Sequence, residues 1–390
     1  MSEKRISRKE LTRRNKKQNN RRKNLRNLMI VILTAVLLYF TGVYGASLAY
    51  FGDFVSGGMA VLQLGKGFPV QDDFSDVLQA GEMGTTLAVL SPDSFSVYSP
   101  TAKNIFTYSH TMQSPVMDTA SHRAVLYDRD ATSLKVLNGH NVLFQQEMEN
   151  SIIHAEISDS NRIAVTTRSA SYNGEVTVYN YNMKQRFVWY CATGFPIYSV
   201  LSDSGKNLAV NTVQTVDGLL VSRIYVINAR DGREMYSIES SAYPLNIQFI
   251  SDSRLLIAYP GRLVLWDVQN NLQLASCDFG GDMLQSVATG GRYIAVAYGG
   301  LGRQESTVTF LSKEFEEKFT LTIPETITDI SISSSRLYLL GDENMYEYDY
   351  SPRLVNTVNT GALAKNLVDY HGTYLITSTE ISKVEKTKSR

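Results

Sequence analysis

Cysteine, histidine and tryptophan are scarce in this sequence, and each scarcity excludes a kind of chemistry. Two cysteines, Cys191 and Cys277, in 390 residues are too few for a disulfide framework, so a sizeable apolar core must hold the folded part together. The five histidines, His110, His122, His140, His154 and His371, include no pair at the i, i+4 spacing of a helical zinc site. No metal and no other cofactor is expected. The sequence also lacks a Gly-x-Ser-x-Gly nucleophile turn and a phosphate-binding glycine loop, which removes two common enzyme fingerprints. Asp128 and Asp130, in Tyr-Asp-Arg-Asp-Ala-Thr, open like a calcium loop. The further oxygen ligands and the glycine at the sharp turn are missing, so the reading is a plain hairpin turn.

Acidic residues are nearly absent from the N-terminus. Residues 1–26 carry 12 basic residues against Glu3 and Glu10, leaving 26 basic and 36 acidic residues, a net −10, in the remainder. The overall neutrality of the chain therefore hides a basic tail on an acidic body. Phosphate neutralisation needs clustered Lys and Arg, so the body is not a nucleic-acid binder. Residues 1–26 have almost nothing to bury and read as a disordered cytoplasmic tail.

From Leu28 to Phe51 no residue is charged. As a helix these residues span about 36 Å, enough for a hydrocarbon core of about 30 Å with some tilt. The cations before the run and the first charge after it, Asp53, put the N-terminus in the cytoplasm and the rest outside. A competing reading is a signal peptide cleaved at Gly45-Ala46-Ser47, but such apolar regions run about 7 to 15 residues, shorter than this one. The expected organisation is a tail over 1–26, a transmembrane signal anchor over 27–51, a glycine-containing stalk over 52–59 and a folded ectodomain over 60–390. The bilayer is then a partner through residues 28–51. Thr41/Gly45 and Gly42/Ala46 are small-xxx-small pairs of the kind that allow a weak homodimer through the membrane helix.

What the ectodomain has in abundance is short β-branched and aromatic runs with period-2 alternation. The stretch 197–279 shows the unit: an apolar strand, a Ser-Asp-Ser turn, a Leu-Ala-Val strand, a third strand that here reads Leu-Trp266-Asp267-Val, a turn and an outer strand. Asp, Asn and Gly at the turns tolerate the positive φ that hairpins need. Aligning the second strands on Ala88, Ala124, Ala164, Ala209, Leu256, Ala295, Tyr338 and Leu375 gives spacings of 36 to 47 residues, which bracket the period of WD40-like blades. Eight second strands predict an all-β, eight-bladed β-propeller of four-stranded antiparallel blades. The eighth unit ends one strand short after Glu380-Ile-Ser-Lys383. Ala60 to Val70 precedes the first inner strand and is expected to supply the missing strand, since an open sheet edge is a liability. The alternative is a seven-bladed ring with 361–390 as an irregular tail.

With this unit repeated over residues 60–387, the chain resembles WD40-like and quinoprotein-like propellers. More narrowly, Arg123-Ala-Val-Leu-Tyr-Asp128 and an anchor placed directly before the ring resemble an uncharacterised family of bacterial single-pass membrane proteins. That resemblance implies a cell-envelope location and no known enzymatic activity. The glycine-histidine that recurs between WD40 units is absent, and Gly139-His140 falls instead in a third-to-fourth-strand turn, so only the architecture carries over. Quinone-dependent dehydrogenases of this architecture use adjacent cysteines and a tryptophan floor. Here Cys191 and Cys277 fall on outer strands of non-adjacent units, too far apart for a disulfide, and Trp189 and Trp266 read as strand packing.

Inner strands line the central channel of a propeller. His154 and Glu156 lie two residues apart on one face of the third inner strand, and other inner strands bring Asp118, Gln248, Gln285 and Asp329. Two readings of these residues are open: a ligand site in the channel, or a hydrogen-bonded polar lining. The function expected is a non-catalytic scaffold for an envelope protein or wall polymer, with an envelope enzyme or small-ligand sensor using the channel or loops as the alternative.

Overall fold

The computed structural model describes residues 65–71, 76–361, 364–369 and 372–384. The tail, the anchor, the stalk and His371 lie outside the described residues; within them, no helix is long and apolar enough to cross a membrane. The described part is an eight-bladed β-propeller, each blade a four-stranded antiparallel sheet. Blades 1 to 8 span 79–109, 115–147, 152–191, 195–240, 246–278, 283–323, 329–359 and 364–383. Within a blade the strands follow one another by hairpins from the channel to the rim, as in blade 1 with Gln79–Met83, Thr86–Leu90, Ser94–Tyr98 and Asn104–Ser109.

Burial explains why the strands read as they do. The second strands Thr86–Leu90, Ala124–Asp128, Ile163–Thr167 and Thr373–Thr377 are buried at every position, because both faces of a blade pack on neighbouring blades. Such a strand reads as a continuous apolar run. Outer strands at the rim, such as Val142–Glu147, alternate half-buried and exposed and keep the period-2 signature. Eight buried apolar clusters lie one at each blade–blade contact, including blade 8 against blade 1. In seven blades the third-to-outer pairing carries a register shift at the same place, as between Val97 and Tyr98 or Leu265 and Trp266. A bulge there adds twist and splays the rim.

The seven-bladed alternative is wrong. Ala364–Asp369, Thr373–Thr377 and Glu380–Lys383 form an eighth sheet, because Leu367, Val368, Tyr374, Leu375 and Ile376 have apolar partners in blades 7 and 1. The missing outer strand comes from the N-terminal side: Val70 and Gln71 pair with Ile381 and Glu380. The closing strand is two residues long, at the C-terminal end of the stretch expected from the sequence. Phe68 seats it, with its ring 4.6 Å from that of Tyr374, edge to face.

Polar side chains stitch neighbouring blades at the turns. The Ser-Asp-Ser turns are more than local chemistry: Asp159 accepts from the backbone N–H and hydroxyl of Ser121 in the preceding blade at 3.2 and 2.9 Å, and Asp252 accepts from Ser204 at 2.6 Å. An arginine ahead of the second strand reaches forward instead. Arg123 donates to Tyr181 O, Arg162 to Gly205 O and Arg254 to Lys313 O, each in the next blade. Asp128 is a staple too, accepting from Gln113 and Ser114 N–H at 3.0 and 2.7 Å. Trp189 packs as expected and donates to Glu234 of blade 4 at 2.7 Å. Both cysteines are free thiols, on blades 3 and 5.

Candidate functional site

Every inner strand is the free edge of its sheet, so N–H groups pointing toward the next blade need acceptors from side chains. Four of the polar channel residues meet this need. Gln79 accepts from Met117 N–H at 2.7 Å, Asp118 from Ile157 N–H at 2.8 Å, and Asp329 from Leu367 N–H at 2.8 Å. Glu156 accepts from Leu201 N–H. Each acceptor sits one blade before its donor, so these residues hold the ring closed at its narrowest radius.

The six residues picked from the sequence do not share one site. Asp118, His154, Glu156 and Gln248 line a single cavity of ≈ 820 Å³ bounded by the inner strands of blades 2 to 5, with Gln79 of blade 1 at its margin. Gln285 and Asp329 sit away from it, on blades 6 and 7. Gln285 Oε1 accepts from Ser306 Oγ at 2.5 Å, and Asp329 acts as the staple into blade 8. Both are parts of the hydrogen-bonded lining.

Sequence reasoning missed the aromatic and cationic members of the cavity, Tyr127, Arg129, Tyr198 and Tyr243. Tyr198 follows a register shift between Pro196 and Tyr198, and His154 follows one between Ile152 and His154. A bulge at the start of each strand re-aims the side chain after it, and the rings of His154 and Tyr198 come 4.3 Å apart, with Tyr127 6.4 Å on the other side of the histidine. Alternation along Ile197-Tyr-Ser-Val was the one available signal for Tyr198. Nothing in the sequence says that Tyr127 and Arg129, at the end of a second strand, reach the channel.

The cavity opposes charge. Burial pushes the His154 imidazole down to about 3, and the nearby Arg129 guanidinium acts the same way. Burial holds the Asp118 carboxyl up at about 6. Burial and the charge of Asp118 put Glu156 well above the ordinary carboxylate range, and burial raises the Tyr198 phenol. Two polar atoms here, Nδ1 of His154 and Oε2 of Glu156, are fully buried with no hydrogen-bond partner. Among the described residues no group of three or more His, Cys, Asp or Glu could hold a metal ion.

These shifts give opposite stability slopes. The unfolded chain binds a proton at His154 between about pH 6.5 and 3 that the folded chain refuses, so the His154 contribution is full above the unfolded pKa and is lost as pH falls. Asp118 works the other way, because its folded pKa is raised: its contribution is present below the unfolded pKa and lost as pH rises through about 6. Replacing His154 with Phe, which keeps a ring against Tyr198, removes only the first slope. The variant should gain about 2 kcal/mol on the wild type when urea unfolding at about pH 4.5 is compared with about pH 7.5. Equal differences at the two pH values would mean that His154 is not buried neutral.

Comparison with known proteins follows the ring closely. A family profile described as "Family of unknown function (DUF5711)" matches residues 69–385, from the closing strand to just past the last strand of blade 8. No curated protein matches. Three similar solved structures are BamB from Moraxella catarrhalis, Sqt1 from Saccharomyces cerevisiae and the computationally designed Ika8. BamB is 13% identical with a TM-score of 0.56, covering 83% of this chain and 100% of its own. Sqt1 is 10% identical with a TM-score of 0.61, covering 83% and 100%. Ika8 is 12% identical with a TM-score of 0.60, covering 80% and 98%. At these identities the likeness shows the propeller fold, quinoprotein-like in the case of BamB, and nothing of function.

Proposed function

The chain belongs to the DUF5711 family, of unknown function, and on that premise we propose that it is a membrane-anchored interaction scaffold. In this reading residues 28–51 hold it in the bilayer with the N-terminus in the cytoplasm. The propeller stands outside and docks an envelope protein or wall polymer without catalysing a reaction.

The observation that carries the reading is where the apolar surface lies. The second-to-third-strand hairpins and the links between blades share one face of the ring. On it stand Tyr172, Phe195, Leu219, Leu220, Leu245 and Leu301, with Leu219 71% and Leu301 90% exposed. Blade 4 raises the most prominent part. Its strands Asn207–Val216 and Leu219–Asn228 are ten residues long, twice the five of the second and third strands of blade 1. Their tip at Asp217-Gly218, both at positive φ, carries Val216, Leu219 and Leu220. By register Phe195 sits opposite Val213, and Tyr172 stacks on Tyr190 at 4.8 Å. Exposed aromatic and aliphatic side chains on rigid loops are what recognition uses. On the opposite face the exposed apolar residues, such as Met235, Leu272 and Leu354, begin outer strands at the rim.

A photo-crosslinking side chain placed at Leu219 in cell membranes should give one discrete adduct, and the same side chain at Met235 should not. Leu219→Asp combined with Leu220→Asp should weaken that capture, read from Phe195, about tenfold or more. Equal adducts from both faces, or an adduct indifferent to the two aspartates, would sink the assignment.

A further inference from the structure

The cavity between blades 2 and 5 has features that ring closure does not require. The staples use one acceptor atom each. Glu156 has a second oxygen buried against no partner, and His154 a ring nitrogen in the same state; an unpaired buried polar atom costs about 1 to 3 kcal/mol. Neither is needed to hold the blades. The charged groups are also segregated. Arg129 N–H bonds to Ser114 O, level with the start of the inner strand Pro115–Thr119, whereas Asp118 lies near its end. Four residues of strand, about 13 Å, separate their backbones, and the Arg129 guanidinium reaches back to hydrogen-bond Tyr127. Glu156 lies beside the Asp118 end, as the bond that Ile157 N–H donates to Asp118 requires. His154, Tyr127 and Tyr198 form an aromatic wall between the two ends.

We propose that this cavity binds a small zwitterion, a free amino acid or dipeptide, with its ammonium group on the Glu156 and Asp118 carboxyls and its carboxylate on Arg129. The charges match in sign and order. The arm of Arg129 covers part of the separation, and the remainder suits a ligand one or two residues long. The Glu156 carboxyl, whose Oε2 has no partner, meets the ammonium group, and the His154 ring lines the ligand's middle. Tyr198 and the histidine ring cover its aliphatic part. An anion alone is repelled at the carboxylate end and a cation alone at the Arg129 end, so both termini are read. Binding an ammonium group requires the carboxyls ionised, so affinity rises with pH through the Asp118 transition at about 6 and goes on rising above it, where the higher-lying Glu156 carboxyl loses its proton. This site is independent of the docking face, and the failure of either leaves the other standing.

The test is calorimetric titration of the full chain in detergent micelles with L-alanyl-L-alanine and L-alanine, beside N-acetyl-L-alanyl-L-alanine and L-alanyl-L-alaninamide. Blocking either terminus should weaken the dipeptide about tenfold or more. Arg129→Gln should make the dipeptide bind no better than its amide. Glu156→Gln keeps an acceptor for Leu201 N–H and should weaken the dipeptide about tenfold while leaving the N-acetyl form unchanged. Binding should weaken between about pH 7.5 and 5.5. The proposal is overturned if neither L-alanine nor the dipeptide binds at millimolar concentration, or if the blocked forms bind as well. It is likewise overturned if Arg129→Gln and Glu156→Gln, folded by their melting curves, leave the affinity unchanged.

Discussion

Removing residues 65–71 should destabilise the propeller by about 4 kcal/mol, the sum of two partly buried apolar side chains and an unpaired strand. Phe68 and Val70 pack into the cluster that Val77, just ahead of blade 1, and Leu87 and Val89 of blade 1 share with Tyr374, Ile376 and Ile381 of blade 8. Without them Glu380–Lys383 loses its outer partner and becomes an open edge. The neighbouring contact cannot take over, since among the described residues the cluster between blades 7 and 8 has five buried members, the fewest of the eight. Unfolding should begin in blade 8. Amide exchange in Thr373–Thr377 should accelerate well before that in blades 3 to 5, and the thermal midpoint should fall by several degrees. Unchanged melting with unchanged exchange in blade 8 would show that the ring stays closed without its N-terminal strand. Phe68→Ala alone should reproduce part of the loss.

The second large effect belongs to blade 7. Arg336 Nε donates to Glu347 Oε1 at 2.9 Å, with the Glu347 side chain 1% exposed. The pair joins neighbouring strands inside the sheet, where Arg336 opens the second strand and Glu347 lies on the third. Replacing Arg336 with Met removes the cation and leaves the buried carboxylate, which should cost about 3 to 5 kcal/mol. Replacing both, Arg336→Met with Glu347→Leu, should restore most of that stability, because the cost comes from leaving a buried carboxylate without its arginine and not from the missing attraction. A double-mutant cycle in urea decides it. If the single and double variants fall equally, the pair contributes through shape alone. The other ion pairs, such as Arg168 with Asp130, join side chains that are both largely exposed and should contribute little.

These two predictions differ in how visible they were beforehand. The closing strand follows from arithmetic on the repeats, because a unit that ends after Glu380-Ile-Ser-Lys383 lacks an outer strand and an apolar stretch stands unassigned at the other end. The arginine–glutamate pair does not. Arg336 looks like the arginines ahead of other second strands, which reach forward to the next blade, and only the structure shows its Nε on Glu347 of the adjacent strand. The recurring Ser-Asp-Ser turns were legible as turns, since Asp tolerates the geometry, but their contact with the preceding blade links residues 38 to 48 positions apart.

By itself the sequence determined the blade: its strand order, its turns and, for the last unit, the need for a borrowed strand. Those features rest on local rules, namely alternation with period 2, turn residues that accept positive φ, and a repeat whose second strand is buried on both faces. It also singled out His154 and Glu156, because two polar residues at i and i+2 of an inner strand share a face. Tertiary structure alone decided which polar residues meet. Four of the six candidates converge in one cavity and two serve the lining elsewhere, since closing a ring brings blades 2 to 5 around one space and carries blades 6 and 7 past it. Register shifts before His154 and Tyr198 turn both rings into that space, and neither shift leaves a mark in the pattern of apolar and polar residues. The acceptors that hold each inner strand to the next are non-local for the same reason: an edge N–H finds its partner one blade away, some forty residues along the chain.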